Sequence, residues 1–370
     1  MFTENWPLTH DPQLPARWVL GDSPRPIVAY LDQWCYDHLA RDRAGSPMEA
    51  SEAGTFQILR DMALAGKVIF ALSEAHYREN WQRDNADGRW DTAVAMAELT
   101  GFHTLRTKNL DVWDASVGAV EFLGLPVTLE KPEPLGWGLK HCLTGVHGQA
   151  FILDKATGAP ALWDTSLPAE LRAQLEELEA NVPYRLELGV LALRDPRMEP
   201  VFAPQVSIAD GKGAQFAALE VSIRAAIDQQ GRTSKAVRNA IEYLAFTDSI
   251  KLFDPVLRAL GKDPNTVVTA IADGVVNGEN PAMHRLLDAM PIQGAFTELR
   301  VQTHLQADRK PKNSDLLDFF ALATALPFVD YFVSDRKTFN LATSAKLNSR
   351  GGGKVIPTLR DLCDELLALA

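Results

Sequence analysis

The chain has 370 residues, 46% hydrophobic and 23% charged, the make-up of a globular protein with a sizeable core and length for about two domains. Lys and Arg number 37 against 48 Asp and Glu, a formal net charge of −11, which excludes the diffuse positive field of a general nucleic-acid coat and leaves polyanion binding to local patches. Cys35, Cys142 and Cys363 are too scattered for a disulfide framework or a zinc site with paired ligands, and neither a membrane span nor a secretory signal is legible, so a cytoplasmic protein is expected.

Residues 1–26 are rich in Pro and polar residues and read as an irregular arm. Ile27 to Leu31 is an apolar run suited to a buried strand, ending at Asp32, and a helix is expected behind it through about Arg41. After a polar stretch from Arg43 to Ser51, Phe56, Leu59, Met62 and Leu64 mark a second amphipathic helix, stopped by Gly66. Lys67 to Leu72 is another buried-strand candidate, with Ser73 placed to cap the next helix. A further helix over 87–100 has Ala93, Ala95, Met96 and Leu99 on its apolar side. This alternation is that of an α/β sheet with parallel strands.

From about 110 to 210 Pro and Gly become frequent, and QAFILD and APALWD read as two short strands around the turn KATG. From about 214 to 306 the chain reads as almost entirely helical, most clearly in AQFAALEVSIRAAIDQQ, SKAVRNAIEYLAF and NTVVTAIADGVV. The α/β pattern then returns with a helix from Asp315 to Leu326, a stop at Pro327, a strand from Phe328 to Ser334, a helix, a strand near Lys354 to Ile356 and a final helix. The expected organisation is an arm (1–26), the first half of an α/β domain (27–110), an inserted region that is β-containing over 111–212 and helical over 213–299, and the second half of the domain (300–370).

Asp32 and Asp335 sit at the carboxyl ends of expected strands, where open parallel sheets place ligand sites. Asp315 and Asp318 share a helix face, and Glu79 lies six residues past the cap Ser73. Acidic residues in first helical turns ordinarily serve caps and dipoles. A gathering of like charges, however, is kept mainly where a cation neutralises it.

On these segments the chain resembles the PIN-domain nucleases. IVAYLDQW is similar to the family's first strand and puts the first catalytic aspartate at Asp32; LSEAHYREN has the family's Ser-to-Glu spacing and points to Glu79 over Glu74. In SDLLDFFALATALPFVDYFVSDRKTF, Asp318 and Asp335 align with the third and fourth acidic motifs. The likeness covers about 27–100 and 296–360. The chain departs from the pattern in the roughly 240 residues between Glu79 and Asp318, in Gln33-Trp34 where the family has an Asn near the first aspartate, and in the extra carboxylates Asp315 and Asp330.

The resemblance implies a PIN-like three-layer domain with a parallel central sheet, carrying a large, mainly helical insertion with a small β element. It implies a metal-dependent endonuclease acting on RNA in preference to DNA, with Mg2+ or Mn2+ held by Asp32, Glu79, Asp318 and Asp335 and with Asp315 as a further ligand or orienting group. A regulatory protein of antitoxin or immunity type and an oligomeric state are compatible with it. Two rival readings are a structure-specific DNA nuclease of flap-endonuclease type and a PIN-like scaffold that binds RNA or protein without turnover; retention of all four acidic positions argues against the scaffold.

Arg309, Lys310 and Lys312 precede the acidic helix, and Arg336 and Lys337 follow Asp335, so both patches are expected to contact substrate phosphates. His76 is expected to be a hydrogen-bonded structural histidine, and Trp34 and Trp81 to pack in the core or at its edge. The adjacent His141 and Cys142, with His147, suggest a thiol nucleophile only superficially, since adjacency neither lowers a thiol pKa nor positions a base. ADGKGAQF lacks the spacing and the Ser or Thr of a phosphate-binding P-loop.

Overall fold

The computed structural model describes residues 13–16, 25–106, 110–144, 152–153, 160–161, 183–192, 199–276, 279–350 and 352–369. The protein is α/β, with a four-stranded parallel sheet and a largely helical region that includes a small antiparallel two-stranded sheet. The chain divides into two compact units, one of Met1–Leu105, Leu135–Phe202 and Thr358–Ala370, the other of Arg106–Pro134 and Ala203–Pro357.

In the first unit β1 (Ile27–Leu31) and β2 (Val68–Ala71) pair in parallel, from Ile27 opposite Val68 to Tyr30 opposite Ala71. Both strands are almost wholly buried, the condition that makes a parallel strand read as an unbroken apolar run. Helix Gln33–Arg43 starts at the N-cap Asp32 and packs on helix Ala86–Thr100, while helix Leu359–Leu369 packs on helix Thr55–Leu64. Antiparallel pairs are formed by β3 (His103–Leu105) with β4 (Leu135–Trp137) and by β5 (Ile152–Leu153) with β6 (Pro160–Ala161). The last pair falls within the two strands expected around KATG.

Three helices in the Pro- and Gly-rich stretch are absent from the sequence expectation: Leu110–Phe122, Gly138–Thr144 and Pro183–Ala192. The last is tied down by long-range bonds. The Trp81 indole N–H donates to the Val190 carbonyl at 2.7 Å, and the Asn80 amide donates to that of Leu191 at 2.9 Å. Glu187 accepts from the Tyr77 hydroxyl and from the Leu139 N–H. Gly138 permits this approach: its φ is +75°, and an added Cβ would lie 2.7 Å from a Glu187 oxygen.

The second unit has its core where helices Leu110–Phe122, Ser234–Ala259 and Pro281–Asp288 meet, with Phe246, Phe253, Leu257, Ile271, Leu286 and Met290 buried together. Helix Pro291–Leu305 packs on helix Asp315–Ala325. β7 (Tyr331–Val333) and β8 (Lys354–Ile356) pair in parallel in register, and helix Arg336–Ser344 lies between them in the chain. The strand expected over Phe328 to Ser334 is thus shorter. Phe328 and Val329 instead return their N–H groups to the Ala325 carbonyl, continuing the turn that closes the preceding helix. The N-terminal arm lies largely outside the described residues. Among the described residues, no helix is long and apolar enough to cross a membrane.

Candidate functional site

Asp32 and Glu79 belong to the first unit. Asp32 leaves β1 with extended backbone and accepts the Gln33 N–H at 2.8 Å. Glu79 is half-buried on helix Glu74–Trp81. Both act on one buried group, the Tyr30 hydroxyl: burial pushes its pKa well up, a 2.7 Å bond to Ser73 opposes this, and the charges of Asp32 and Glu79 raise it further. Next to Asp32, the Gln33 side chain is 7% exposed, and neither its amide nitrogen nor its oxygen finds a hydrogen-bond partner among the described residues. A buried unsatisfied amide costs about 1–3 kcal/mol per group.

His76 lies between these elements. It is 1% exposed; its Nδ1 accepts the Ser73 N–H at 2.9 Å and its Nε2 lies 2.7 Å from the Leu31 carbonyl oxygen. Burial lowers its pKa to about 4. This is the structural histidine the sequence suggested.

Asp318, Asp335 and Asp315 belong to the second unit. Asp335 N-caps helix Arg336–Ser344, with Oδ1 accepting from the Lys337 and Thr338 N–H groups at 2.6 and 3.0 Å and Oδ2 from the Thr338 hydroxyl at 3.2 Å. Asp318 is half-buried in the first turn of helix Asp315–Ala325. Asp315 is 3% exposed and engages both oxygens, one with the Arg309 guanidinium and one with the Lys312 N–H, at 2.8 and 2.9 Å. Arg309 also stacks over Phe319 at 5.5 Å. The side chains of Lys310, Lys312, Arg336 and Lys337 are exposed.

The charges of Asp32 and Glu79 thus both reach the Tyr30 hydroxyl, while Asp315 is bound by Arg309 and the Lys312 N–H. Among the described residues no group of three or more His, Cys, Asp or Glu is placed to hold a metal ion. The chemistry of the Asp32 and Glu79 pair fits a hard cation of the Mg2+ or Mn2+ kind, which takes oxygen donors from one or two carboxylates and completes its shell with water and substrate phosphate. The Gln33 amide, which follows Asp32 in the chain, is a buried polar group without a hydrogen-bond partner among the described residues.

Cys142 is fully buried and its thiol is pushed well up by burial, so it does not supply a thiolate; His141 bonds the Thr104 hydroxyl at 2.9 Å, and His147 lies outside the described residues. Trp81 is a core residue, and Trp34 meets His38 edge-on at 5.1 Å. ADGKGAQF lies within helix Glu199–Gln229.

Three polar constellations escape sequence reasoning. Glu98 is buried under a bidentate Arg43, with Arg60 at 3.7 Å. Glu220, buried, takes Arg300 on one oxygen and His304 on the other, both at 2.6 Å. Arg238 bridges Glu242 and Glu298. Each joins residues far apart in the chain, although Arg238 with Glu242 and Arg300 with His304 stand at helical i,i+4 spacing, a local pattern that does not reveal the distant third partner. His76 carried a signal of its own, since it follows the cap Ser73 by three residues, the position from which a capping box reaches back. No family model, curated protein or solved structure matches the chain.

Proposed function

We propose that the chain is a metal-dependent endonuclease of the PIN type that hydrolyses phosphodiester bonds in RNA in preference to DNA. The observation that carries this reading is the placement of Asp32 at the end of β1 and of Glu79 on the helix behind β2, two elements that the Tyr30–Ser73 and His76–Leu31 bonds tie together. Asp32 and Glu79 would hold the Mg2+ or Mn2+. Such an ion, when bound, lowers the pKa of a water and stabilises charge on the leaving oxygen. Asp32, fixed by the Gln33 N–H, presents its carboxylate from a rigid strand end; Glu79 presents its own from a helix that Ser73 and His76 lock at the start. The exposed Lys310, Lys312, Arg336 and Lys337 engage phosphates. Asp318 and Asp335 are the other two acids of the family pattern, and substitution decides their part.

The test is cleavage of an end-labelled single-stranded RNA, with a DNA flap duplex in parallel, in EDTA, Mg2+ or Mn2+. The reading expects RNA cleavage only with metal, and its loss in Asp32→Asn, Glu79→Gln, Asp318→Asn and Asp335→Asn. Cleavage that survives EDTA or Asp32→Asn overturns it. Preference for the flap favours the DNA nuclease, and RNA binding without cleavage favours the scaffold.

A further inference from the structure

We propose that His76 is a positioning residue that sets the separation of Asp32 and Glu79, an inference that rests on the metal-dependent reading of that pair. The register of β1 and β2 ends at Tyr30 opposite Ala71. Beyond it the two chains part, one into Asp32 and the helix it caps, the other into Ser73 and the helix that carries Glu79. His76 joins them after the sheet has stopped doing so. Its Nε2 meets the Leu31 carbonyl, which belongs to the peptide unit leading into Asp32, and its own helix reaches Glu79 one turn later on the neighbouring face.

The two bonds fix the ring completely. A backbone N–H only donates and a carbonyl only accepts, so Nδ1 is bare, Nε2 carries the hydrogen, and the imidazole is neutral. Tyr30 lies 4.8 Å from the ring and Tyr36 meets it edge-on at 5.3 Å, so packing opposes rotation. The bond between the Tyr30 and Ser73 hydroxyls adds a second strap between β1 and the helix start.

Capping alone does not account for this residue type. A Glu at the same place could return an oxygen to the Ser73 N–H, but its carboxylate could not donate to the Leu31 carbonyl; an amide can do both. His76→Gln therefore preserves the bridge in kind, and His76→Leu keeps the bulk and removes it. Outer groups that orient metal ligands typically cost 10–100-fold in affinity when lost.

The experiment is calorimetric titration of the full chain with Mn2+ at pH 7.5 for the unaltered protein, His76→Gln, His76→Leu and Asp32→Asn, each with a metal-free melt. The inference expects Mn2+ binding to be abolished by Asp32→Asn, weakened about tenfold or more by His76→Leu, and largely restored by His76→Gln. Unaltered affinity in His76→Leu alongside loss in Asp32→Asn overturns the inference and leaves the metal reading standing. Absence of Mn2+ binding in the unaltered protein overturns both. Should His76→Leu fail to fold, imidazole 15N spectra of the unaltered protein titrated with Mg2+ decide. His76 resonances of the Nε2–H tautomer that move with ion binding support the inference, and resonances indifferent to the ion overturn it.

Discussion

His76 cannot take up a proton at Nδ1 without facing the Ser73 N–H donor with a second donor. The folded pKa of about 4 lies below the ordinary 6.5, so between these values the unfolded chain binds a proton that the folded chain refuses. Its stabilising contribution is complete above about pH 6.5 and is lost as pH falls toward 4, on the order of 3 kcal/mol in all. Urea denaturation at pH 7.5 and pH 5 should show a steeper acid loss for the unaltered protein than for His76→Gln. Equal acid losses would mean that this ring does not set the slope. A second distinction concerns the basic patch. Arg309 is bound to Asp315, whereas the side chains of Lys310 and Lys312 are exposed. The double change Lys310→Ala and Lys312→Ala should raise KM for single-stranded RNA and flatten its salt dependence with little effect on kcat or Tm. Arg309→Ala should lower Tm as well, and a Tm equal to that of the unaltered protein would separate Arg309 from the fold. The cap Ser73 was legible because a cap acts on its own helix. The Leu31 partner of His76 was not, because it is 45 residues away and is set by the parallel pairing.

The elements divide in the same way. β1 and the β8 strand were legible to the residue, since a buried parallel strand leaves an apolar run with sharp ends. Helices Leu110–Phe122 and Pro183–Ala192 were not, because neighbouring Pro and Gly residues masked short segments whose order comes from tertiary bonds. Helix Pro291–Leu305 shows what such bonds do. Its start is capped from another helix by Asp114, whose oxygens accept the Ile292 and Gln293 N–H groups at 2.6 and 2.9 Å. Burial pushes this carboxyl up to about 7 against the pull of those two bonds. Asp114→Ala should cost about 1–2 kcal/mol, the range of a lost N-cap, and Asp114→Asn, which keeps an acceptor oxygen, should cost less. Denaturant midpoints for the two variants check the ordering, and equal losses would show that the bulk of the side chain matters more than its oxygen.

For the whole molecule, the α/β class and parallel pairing followed from alternation of pattern alone. The sequence offered four acids as one set. The structure assigns Asp32 and Glu79 to one compact unit and Asp318 and Asp335 to the other, with an N-capping duty for Asp335 that a sequence motif does not separate from catalysis. An acidic chain of net charge −11 also attracts divalent cations weakly at many points, so the informative quantity is the difference between the unaltered protein and a single-ligand variant. An ion that binds only the folded chain stabilises it by about 2.7 kcal/mol at a hundredfold excess over Kd. The most direct measurement is thermal denaturation with and without Mn2+ for the unaltered protein and Asp32→Asn. The Tm of the unaltered protein should rise with Mn2+ and that of Asp32→Asn should not; equal rises, or none in either, would contradict a metal centre built on Asp32.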